Sequence, residues 1–379
     1  MGYWLLTMAS LALIGWILYQ KHLPRRTLAL PPSPAPAANP PPSVEVAPPA
    51  VLPAAEPLPA VPPDAPREAP VPLRTPTPAP EDFVPPAPPR VTGFPRPAND
   101  VLEAQVCLAN LGISCGPIDG IAGSQTAAAL RAFQARAGLP PSGLLTAATR
   151  ARLILKDEPT RPYVVTTNDL ARLREVSGTW LGKSQQARLD YETVLELVAE
   201  KHHASQNFIR RLNPEIDWAA VRPGLAVLVP QVRESAPPAK AAYLRIRLAE
   251  RVLQAFDHRT NLLVHFPCSI ARNVDKRPVG ELHVDVVITD PDYTFNPEIF
   301  TESAEARRLG RKLVIPPGPN NPVGVAWIGL DRAGYGIHGT PIPESVGRTE
   351  SHGCFRLANW DAENLVRLVQ RGTPVYVDP

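Results

Sequence analysis

The sequence predicts a multidomain protein whose C-terminal domain is mainly β with one helix, preceded by a three-helix bundle and a βααβ module. Three observations support this prediction. The 49 prolines of the 379-residue chain are concentrated between Pro24 and Pro97, which leaves globular sequence on the C-terminal side. Apolar residues recur at helical spacing from about Asn99 to Val232. After Ala241, short β-branched runs are separated by turn residues.

The charge of the chain is nearly balanced, with a formal net charge of +3 at pH 7. The sequence has no long basic run and no stretch in which basic and aromatic residues are interleaved, as nucleic-acid binding requires. We therefore expect no nucleic acid among the partners of this protein.

The first 20 residues have the composition of a membrane anchor. The run from Tyr3 to Tyr19 is uncharged and almost wholly apolar, with aromatic residues at both ends, where an aromatic belt would lie. No small-x-small cleavage site precedes the prolines, so we expect an uncleaved transmembrane signal-anchor over residues 1–20, in the cytoplasmic membrane. A buried soluble helix is the alternative. Lys21, Arg25 and Arg26 follow the anchor, and the positive-inside rule alone would keep the following domains in the cytoplasm.

Residues 21–98 are predicted to form a disordered linker. Their proline-rich sequence has few aromatic residues and no helical or strand period, so it cannot bury enough apolar surface to offset the entropy lost on folding. At roughly 3.1 Å per residue, about 70 extended residues would reach up to around 200 Å, which favours a spacer. Recognition of its PxxP sequences by another domain is the alternative.

A helical domain is predicted over residues 99–156. Each of its three helices has candidate capping residues at its start: Asn99 or Asp100, Ser124 or Thr126, and Thr146. Glycines end the first two helices, and Leu130 and Phe133 face the core of the bundle.

Cys107 and Cys115 lie eight residues apart, one in the first helix and one in the turn after it. A disulfide between them would join the helix to its loop and would need an oxidising compartment. We predict this disulfide. A zinc site is the weaker alternative, because no histidine lies nearby in the sequence.

Residues 162–232 are predicted to form a strand, two helices and a closing strand. The helices lie in "YETVLELVAEKHHAS" and "QNFIRRLNP", and "PGLAVLVP" is the closing strand. His202 and His203 stand near the end of the first helix, and we expect them to be solvated surface residues rather than ligands.

The last domain, residues 241–379, reads as mainly β with one clear helix. "AYLRIRLAERVLQAFDHRTNLLVHFPCSIARN" is predicted to form two strands joined by the turn "DHRTN". Further strands are expected in "ELHVDVVITD", "KLVIPPG", "VAWIGL", "YGIHGT" and "TPVYVDP", and the helix in "WDAENLVRLVQRG".

The candidate chemistry lies in "YGIHGTPIPESVGRTESHGCFRL", residues 335–357. Cys354 is a good acyl acceptor, because an imidazole or backbone amides activate a thiol easily. His338, at a strand end 16 residues earlier, is a candidate base if the loop returns to bring the two together. Gly353 allows a sharp turn, so that the amides of His352, Gly353 and Cys354 could form an oxyanion hole. The Arg356 guanidinium suits a substrate carboxylate.

Three other readings of this segment remain open at the sequence level. Two histidines and a cysteine could be zinc ligands, although a fourth ligand is not evident. The cysteine could instead be a buried structural residue, or the segment could bind anions without catalysis. A second cysteine, Cys268 in "FPCSIARN", is expected to be a core thiol, with a role as an alternative nucleophile left open.

Two stretches of the helical region resemble known wall-binding families. The stretch from Asn99 resembles the peptidoglycan-binding domain family, through Gly112, Gly116, Asp119, Gly120, Gly123, Thr126, Ala129, Leu130, Phe133 and Gln134. The stretch 162–232 is similar to a LysM module, although "NDLARLREVSGTWLGKSQQARLD" departs from a compact LysM. The resemblances imply binding of cell-wall glycan or stem peptide, with a structural role as the alternative for both.

The C-terminal domain resembles the L,D-transpeptidase family, also called the YkuD domain. "HGT" and "SHGCFRL" match its active-site motif, "NPVGVAWIGL" matches a second stretch, and "KRPVGEL" is similar to a third, with Arg277 and Leu282 departing from the pattern. The resemblance implies a YkuD-like sheet sandwich with one helix. It also implies Cys354 as the nucleophile, His338 as the base, and His352 and Gly353 in the catalytic site. Substrate-binding roles would fall to three further residues: Arg356, Ser351 and Gly339. Some members carry asparagine at the position of Arg356.

By this resemblance, Cys354 would attack the carbonyl between the L-centre of meso-diaminopimelate and the terminal D-alanine of a tetrapeptide stem. D-alanine would leave, and a wall amine would resolve the thioester without any metal or cofactor. Water as acceptor would make the protein a carboxypeptidase, and a chain without turnover would be a wall-binding anchor protein. The two wall-type modules, the predicted disulfide and a spacer long enough for the periplasm favour placement of the bulk of the chain outside the cytoplasmic membrane, against the three basic residues after the anchor.

Overall fold

The computed structural model describes residues 93–233, 239–299, 303–348 and 353–379, and all of these fall in one unit of the fold. The predicted transmembrane anchor over residues 1–20 and most of the predicted linker lie outside these ranges. Within them, the structure holds no helix with the length and apolar character needed to cross a membrane.

The first part of the described chain, residues 93–155, contains three helices and a two-stranded sheet. The helices are α1 (Val101–Asn110), α2 (Ser124–Arg136) and α3 (Ala147–Arg150), and β1 (Arg96–Pro97) pairs antiparallel with β2 (Ile154–Leu155). Two of the predicted caps form: the side chain of Asp100 accepts from the Glu103 amide, and that of Thr146 from the Thr149 amide. Gly123 occupies the cap position of α2 and gives no side-chain bond.

Residues 93–98, which the sequence assigned to the linker, belong to the fold. The guanidinium of Arg96 donates two hydrogen bonds of 2.7 Å to the carboxylate of Glu103, and both residues are buried. Ala98 is 1% exposed. Paired and hydrogen-bonded charges of this kind are the form in which charges occur in protein interiors, so the boundary of the folded region precedes Arg96.

The second part, residues 160–230, follows the predicted order of strand, helices and strand. β3 (Thr160–Val164) pairs antiparallel with β4 (Ala226–Pro230), and the two expected helices are α6 (Val194–Lys201) and α7 (Gln206–Leu212). The departing stretch forms two further short helices, α4 (Thr167–Ala171) and α5 (Trp180–Ser184). The identity of this part as a LysM module stays a prediction.

The two helical parts share one hydrophobic core. Buried residues from both, including Leu108 and Phe133 of the first and Leu197 and Ile209 of the second, belong to a single cluster. The loop after α1 joins them through backbone hydrogen bonds, because the Ile118 amide donates to the His203 carbonyl and the Ser205 amide donates to the Ile118 carbonyl. The predicted modules are therefore packed into one body.

The C-terminal part is mainly β, as the sequence predicted. Its strands are β5 (Tyr243–Arg247), β6 (Val252–Phe256), β7 (Leu262–Pro267), β8 (Gly280–Thr289), β9 (Tyr293–Phe295), β10 (Leu313–Ile315), β11 (Ala326–Leu330), β12 (Gly336–His338), β13 (Phe355–Arg356) and β14 (Pro374–Asp378). Two α-helices accompany them within the described ranges, α8 (Ala304–Leu309) and α9 (Asn359–Leu368), where the sequence predicted one, together with three short 3-10 helices. The stretch expected to form two strands forms three, β5, β6 and β7.

Eight strands of the C-terminal part form one sheet in the order β13-β12-β11-β8-β14-β5-β6-β7, and β9 pairs separately with β10. The sheet closes on itself, because Ser269, just after β7, exchanges two backbone hydrogen bonds of 2.9 and 3.0 Å with Arg356 of β13. Helix α9 covers the sheet with Leu365 and Leu368, both fully buried. The active-site candidates thus lie where the two edges of the curled sheet, β13 and the end of β7, meet.

The expectation that His202 and His203 are solvated is wrong, because His202 is buried and His203 is half-buried. His202 is 3% exposed and packs edge-on against the Tyr163 ring, with 4.9 Å between ring centroids. His203 stacks on Trp360 at 5.2 Å. Burial lowers the pKa of both imidazoles, to about 4 and about 3, so both rings are neutral at pH 7. They fail the prediction because α6 ends against the loop after α1 and against α9, not in water.

The predicted disulfide is not formed, since Cys107 and Cys115 are both free and buried. Their thiols face different surroundings: Glu103 and Arg96 act on Cys107, whereas Asp119 and Asp361 act on Cys115. Burial raises the pKa of both thiols, that of Cys107 to about 12. Only the thiolate reacts with oxidants or disulfides, so these cysteines are inert even in an oxidising compartment.

We expect peptide mapping to recover both cysteines as free thiols. Iodoacetamide under native conditions should label Cys354 and leave the buried Cys107, Cys115 and Cys268 unlabelled, because buried thiols stay protonated. After denaturation without reductant, all four cysteines should be labelled. A peptide in which Cys107 is linked to Cys115 would contradict the structure.

Candidate active site

The pairing of β12 with β13 brings the predicted catalytic residues to one face of the sheet. The two strands run parallel, with His338 opposite Arg356 and Ile337 opposite Phe355. Side chains two residues apart on an extended chain point the same way, so Cys354 lies on the face of Arg356 and therefore of His338. Continuing the same register places Gly336 opposite Cys354, where it presents no side chain to the thiol.

Gly336 is also required by a neighbouring aromatic ring. A Cβ at this position would come within 2.6 Å of the Trp327 indole, so any larger residue would displace that ring. Trp327 in turn stacks on the His338 imidazole, with 5.6 Å between centroids and 22° between planes. Glycine at position 336 therefore leaves room for the thiol and for the Trp327 ring that stacks on the imidazole.

Cys354, His338, Arg356 and Gly353 line one pocket of about 610 Å3. Its remaining wall is largely aromatic, with contributions from Trp180, Tyr293, Trp327 and Tyr335. A concave site lined by aromatic side chains with a few polar groups is the usual form of a small-ligand site. The pocket thus brings together four of the residues that the sequence singled out, and their joint action stays a prediction.

The imidazole of His338 is held by one strong hydrogen bond. Its Nδ1 donates to the carbonyl oxygen of Gly339 at 2.7 Å, which leaves the lone pair on Nε2. Burial lowers the pKa of His338 to about 4, and the positive charge of Arg356 acts in the same direction. At pH 7 the ring is therefore neutral and able to accept a proton at Nε2.

Cys354 is half-buried, and its thiol lies 3.6 Å from the carbonyl oxygen of Gly334. Burial raises the pKa of this thiol, while a backbone hydrogen bond with Gly336 and the charge of Arg356 oppose the rise. The net direction favours the neutral thiol. Cys354 and His338 together thus form a neutral pair rather than a thiolate–imidazolium ion pair.

Arg356 is one of the two cationic residues that line the pocket, and Lys276 is the other. Burial lowers the pKa of its guanidinium, yet Arg356 remains charged because arginine does not lose its proton in proteins. Within the part of the chain that the structure describes, the guanidinium has no carboxylate partner within ion-pair distance. A forked, desolvated cation of this kind is suited to a carboxylate of the substrate.

The other predicted site residues are placed differently or not described. Ser351 and His352 lie outside the described ranges. The carbonyl oxygen of Gly339 accepts a hydrogen bond from Nδ1 of His338, and Gly339 contributes to the site through that contact. Cys268 is fully buried, and its Sγ lies 3.4 Å from the Ser269 carbonyl oxygen. This thiol is a core residue, as expected, and does not line the pocket with Cys354.

Trp180 is one of the pocket residues that the sequence did not indicate, together with Tyr293 and Thr294. It begins α5, in the stretch that departs from the LysM pattern, and stacks on Phe295 at 4.3 Å with 18° between rings. The same stretch is anchored elsewhere to the C-terminal part. The Leu181 amide donates to Glu305 at 3.1 Å, and Arg188 pairs with Asp290. The sequence contains one indication that Trp180 packs against other residues. In "GTWLGKS" a large aromatic residue stands among small and polar residues, which is unusual for a loop exposed to solvent.

We expect the reactivity of Cys354 to report a neutral thiol. The rate of alkylation by iodoacetamide should rise with pH, with a midpoint above the value of about 8.5 for free cysteine, because burial raises the thiol pKa. Mass spectrometry of the Cys354 peptide at a series of pH values measures this rate. A plateau at pH 6 to 7 would show a stable thiolate and contradict the neutral pair.

Trp180→Ala should open the pocket. Because the indole forms part of the wall near Cys354, its removal should increase the rate of alkylation by a bulky aromatic maleimide several-fold relative to iodoacetamide. Trp218→Ala is the matched control, since Trp218 packs against the shared helical core instead. An unchanged ratio of the two rates in Trp180→Ala would mean that Trp180 does not limit access to the thiol.

Two parts of the chain match known families. Residues 241–377 match the YkuD family, described as the L,D-transpeptidase catalytic domain. Residues 97–153 match the PG_binding_1 family, described as a peptidoglycan binding domain.

Individual proteins with similarity to this chain carry related names. A Bacillus licheniformis protein named as the L,D-transpeptidase YkuD is 25% identical over 185 residues, which make up 49% of this chain and 93% of that protein. Bacillus subtilis YqjB, also named as an L,D-transpeptidase, is 37% identical over 109 residues, 27% of this chain and 52% of that protein. A solved L,D-transpeptidase from Mycobacterium smegmatis has 17% identity and a TM-score of 0.29, covering 41% of this chain and 64% of that one.

The last two of these alignments span less than two thirds of the similar protein's own length, whereas the family matches cover both folded ends of the region described above. Residues 241–377 of this chain are therefore similar to the L,D-transpeptidase catalytic domain of the YkuD family, and residues 97–153 are similar to a peptidoglycan binding domain.

Proposed function

We propose that this protein is a cysteine L,D-transpeptidase that acts on peptidoglycan tetrapeptide stems, with Cys354 as the nucleophile and His338 as the general base. The single observation that supports it best is the register of β12 and β13, which sets the thiol, the neutral imidazole and the guanidinium around one pocket. The chemistry of each group then follows from its surroundings.

The acylation step begins with a neutral thiol. As Sγ attacks the carbonyl of the scissile peptide bond, its proton passes to Nε2 of His338, the nitrogen left with a lone pair by the bond to Gly339. The imidazolium then donates this proton to the departing amine of D-alanine, and a thioester remains on Cys354. Of the three amides predicted to stabilise the oxyanion, those of Gly353 and Cys354 lie within the described residues.

The second step reverses the roles. An amine of a second stem or of another wall component attacks the thioester, His338 accepts its proton, and the thiol of Cys354 is released. Water in place of the amine would give a carboxypeptidase. Arg356 would hold a carboxylate of the donor stem, which explains an acidic peptide as substrate.

The remaining parts of the chain fit this role. The peptidoglycan binding domain would hold the enzyme on the wall, and glycan binding by the LysM-like part is a further expectation. We place these domains outside the cytoplasmic membrane, anchored through residues 1–20. The disulfide no longer supports this placement, which now rests on the two matched domains, since their polymer lies outside that membrane.

The decisive test is incubation of the full-length protein with a disaccharide-tetrapeptide wall fragment, beside Cys354→Ala, followed by mass spectrometry. The wild type should release D-alanine and form cross-linked dimers, and the variant should lose turnover completely while keeping its fold by circular dichroism. Tripeptide without dimers would identify a carboxypeptidase. Binding without turnover in both proteins would identify a wall-binding protein, and turnover by Cys354→Ala would remove Cys354 from the proposed role.

A further inference from the structure

The peptide group between Gly339 and Thr340 is held at both ends. Its carbonyl oxygen accepts the Nδ1 proton of His338 at 2.7 Å, and its N–H donates to Oδ1 of Asn359 at 3.0 Å. Because both bonds belong to one planar unit, the orientation of the carbonyl that fixes the imidazole depends on the position of the Asn359 amide. Asn359 is 1% exposed and lies at the start of α9.

Two glycines leave space for the side-chain amide of Asn359. Oδ1 of Asn359 also lies 3.4 Å from the Val325 amide, which donates to it. A Cβ at Gly324 would come within 2.0 Å of the same oxygen, and a Cβ at Gly339 within 2.2 Å. Both positions therefore require glycine for a reason separate from turn geometry, namely the close approach of the Asn359 side chain.

The other end of the Asn359 amide is held from a different part of the fold. Its Nδ2 donates to Oε1 of Glu200 at 3.0 Å and lies 3.2 Å from the Pro319 carbonyl oxygen. Glu200 belongs to α6 of the helical region and also accepts from the Tyr191 hydroxyl at 3.2 Å. Burial raises the pKa of its carboxyl to about 8, so Glu200 is neutral at pH 7 and can remain inside without a cationic partner.

We propose that Asn359 is a positioning residue for His338, and that Glu200 of the helical region holds Asn359 in place through a buried hydrogen bond. The relay runs from Glu200 to the Asn359 amide, then through the Gly339–Thr340 peptide to the Nδ1 of the imidazole. It makes the helical region part of the catalytic apparatus of the C-terminal domain. The inference rests on the proposed function only for its kinetic consequence.

The kinetic test uses full-length Asn359→Ala with the wall fragment. The variant should lose roughly 10- to 100-fold in kcat, because a misplaced catalytic group costs up to about 10²-fold in rate, while KM stays near its wild-type value since Arg356 is untouched. Glu200→Ala should lose less, because Asn359 keeps its bond to Pro319. Glu200→Gln should restore the rate, since glutamine keeps the shape and the accepting oxygen of a neutral glutamic acid.

Ser114→Ala is the matched control. Ser114 donates to Asp361 at 2.9 Å and so makes a buried bond to the same helix α9 from the helical region, without touching the relay. Its kcat should equal that of the wild type even if its melting temperature falls. An equal loss of kcat in Ser114→Ala and Glu200→Ala would reduce the effect to general packing and overturn the proposal.

A spectroscopic readout separates this inference from the proposed function. In 15N NMR spectra at pH 7, His338 of the wild type should show one neutral tautomer, with the proton on Nδ1, and Asn359→Ala should show a mixture of the two. An unchanged tautomer with unchanged kcat in Asn359→Ala would refute the positioning role. If the wild type releases no D-alanine, the proposed function fails, and the tautomer still decides whether Asn359 orients His338. If Asn359→Ala does not fold, the pair Glu200→Ala and Glu200→Gln gives the same comparison.

Discussion

The short parallel pairing of β12 with β13 is the constraint on which the candidate site depends. Only two residue pairs define it, and one of them sets His338 beside Arg356. So short a pairing is not stable alone, because two strands without further packing rarely persist in water. Here β12 is supported on its other edge by β11, and β13 by the backbone bonds between Arg356 and Ser269. Closure of the sheet therefore holds Cys354 and His338, the proposed nucleophile and base, in register.

Burial shifts the pKa values of Cys354 and His338 in opposite directions, and both shifts favour the uncharged form of the group. It raises the pKa of the Cys354 thiol and lowers that of the His338 imidazole to about 4. An ion pair would need each group to gain a charge in the same poorly solvated pocket, beside the fixed charge of Arg356. That charge favours a thiolate but opposes an imidazolium. The arrangement is therefore suited to a proton transfer that accompanies attack rather than precedes it.

Residue chemistry allowed part of this site to be predicted from the sequence. Cys354, His338 and Arg356 stand in a segment whose glycines and polar groups fit no core strand, and caps such as Asp100 and Thr146 follow from local rules. Glu200 could not be found this way, and the sequence around Trp180 indicated only that the indole packs against other residues, because both residues reach the site from parts of the chain more than a hundred residues away. His202 and His203 were misjudged for the same reason: the contacts that bury them come from distant segments.

The same long-range contacts change how the domains should be understood. The loop after α1 pairs with β7 through the Ser114 amide and the His265 carbonyl, and with the end of α6 through Ile118. Ser114 and Glu200 add buried side-chain bonds to α9, and Trp180 enters the pocket itself. Buried polar groups lose their compensation if the parts separate, so each bond penalises a displacement of one part against another. A wall-binding domain flexibly linked to a catalytic domain would need none of them. Residues 97–153, which match the peptidoglycan binding family, are therefore fixed relative to the pocket.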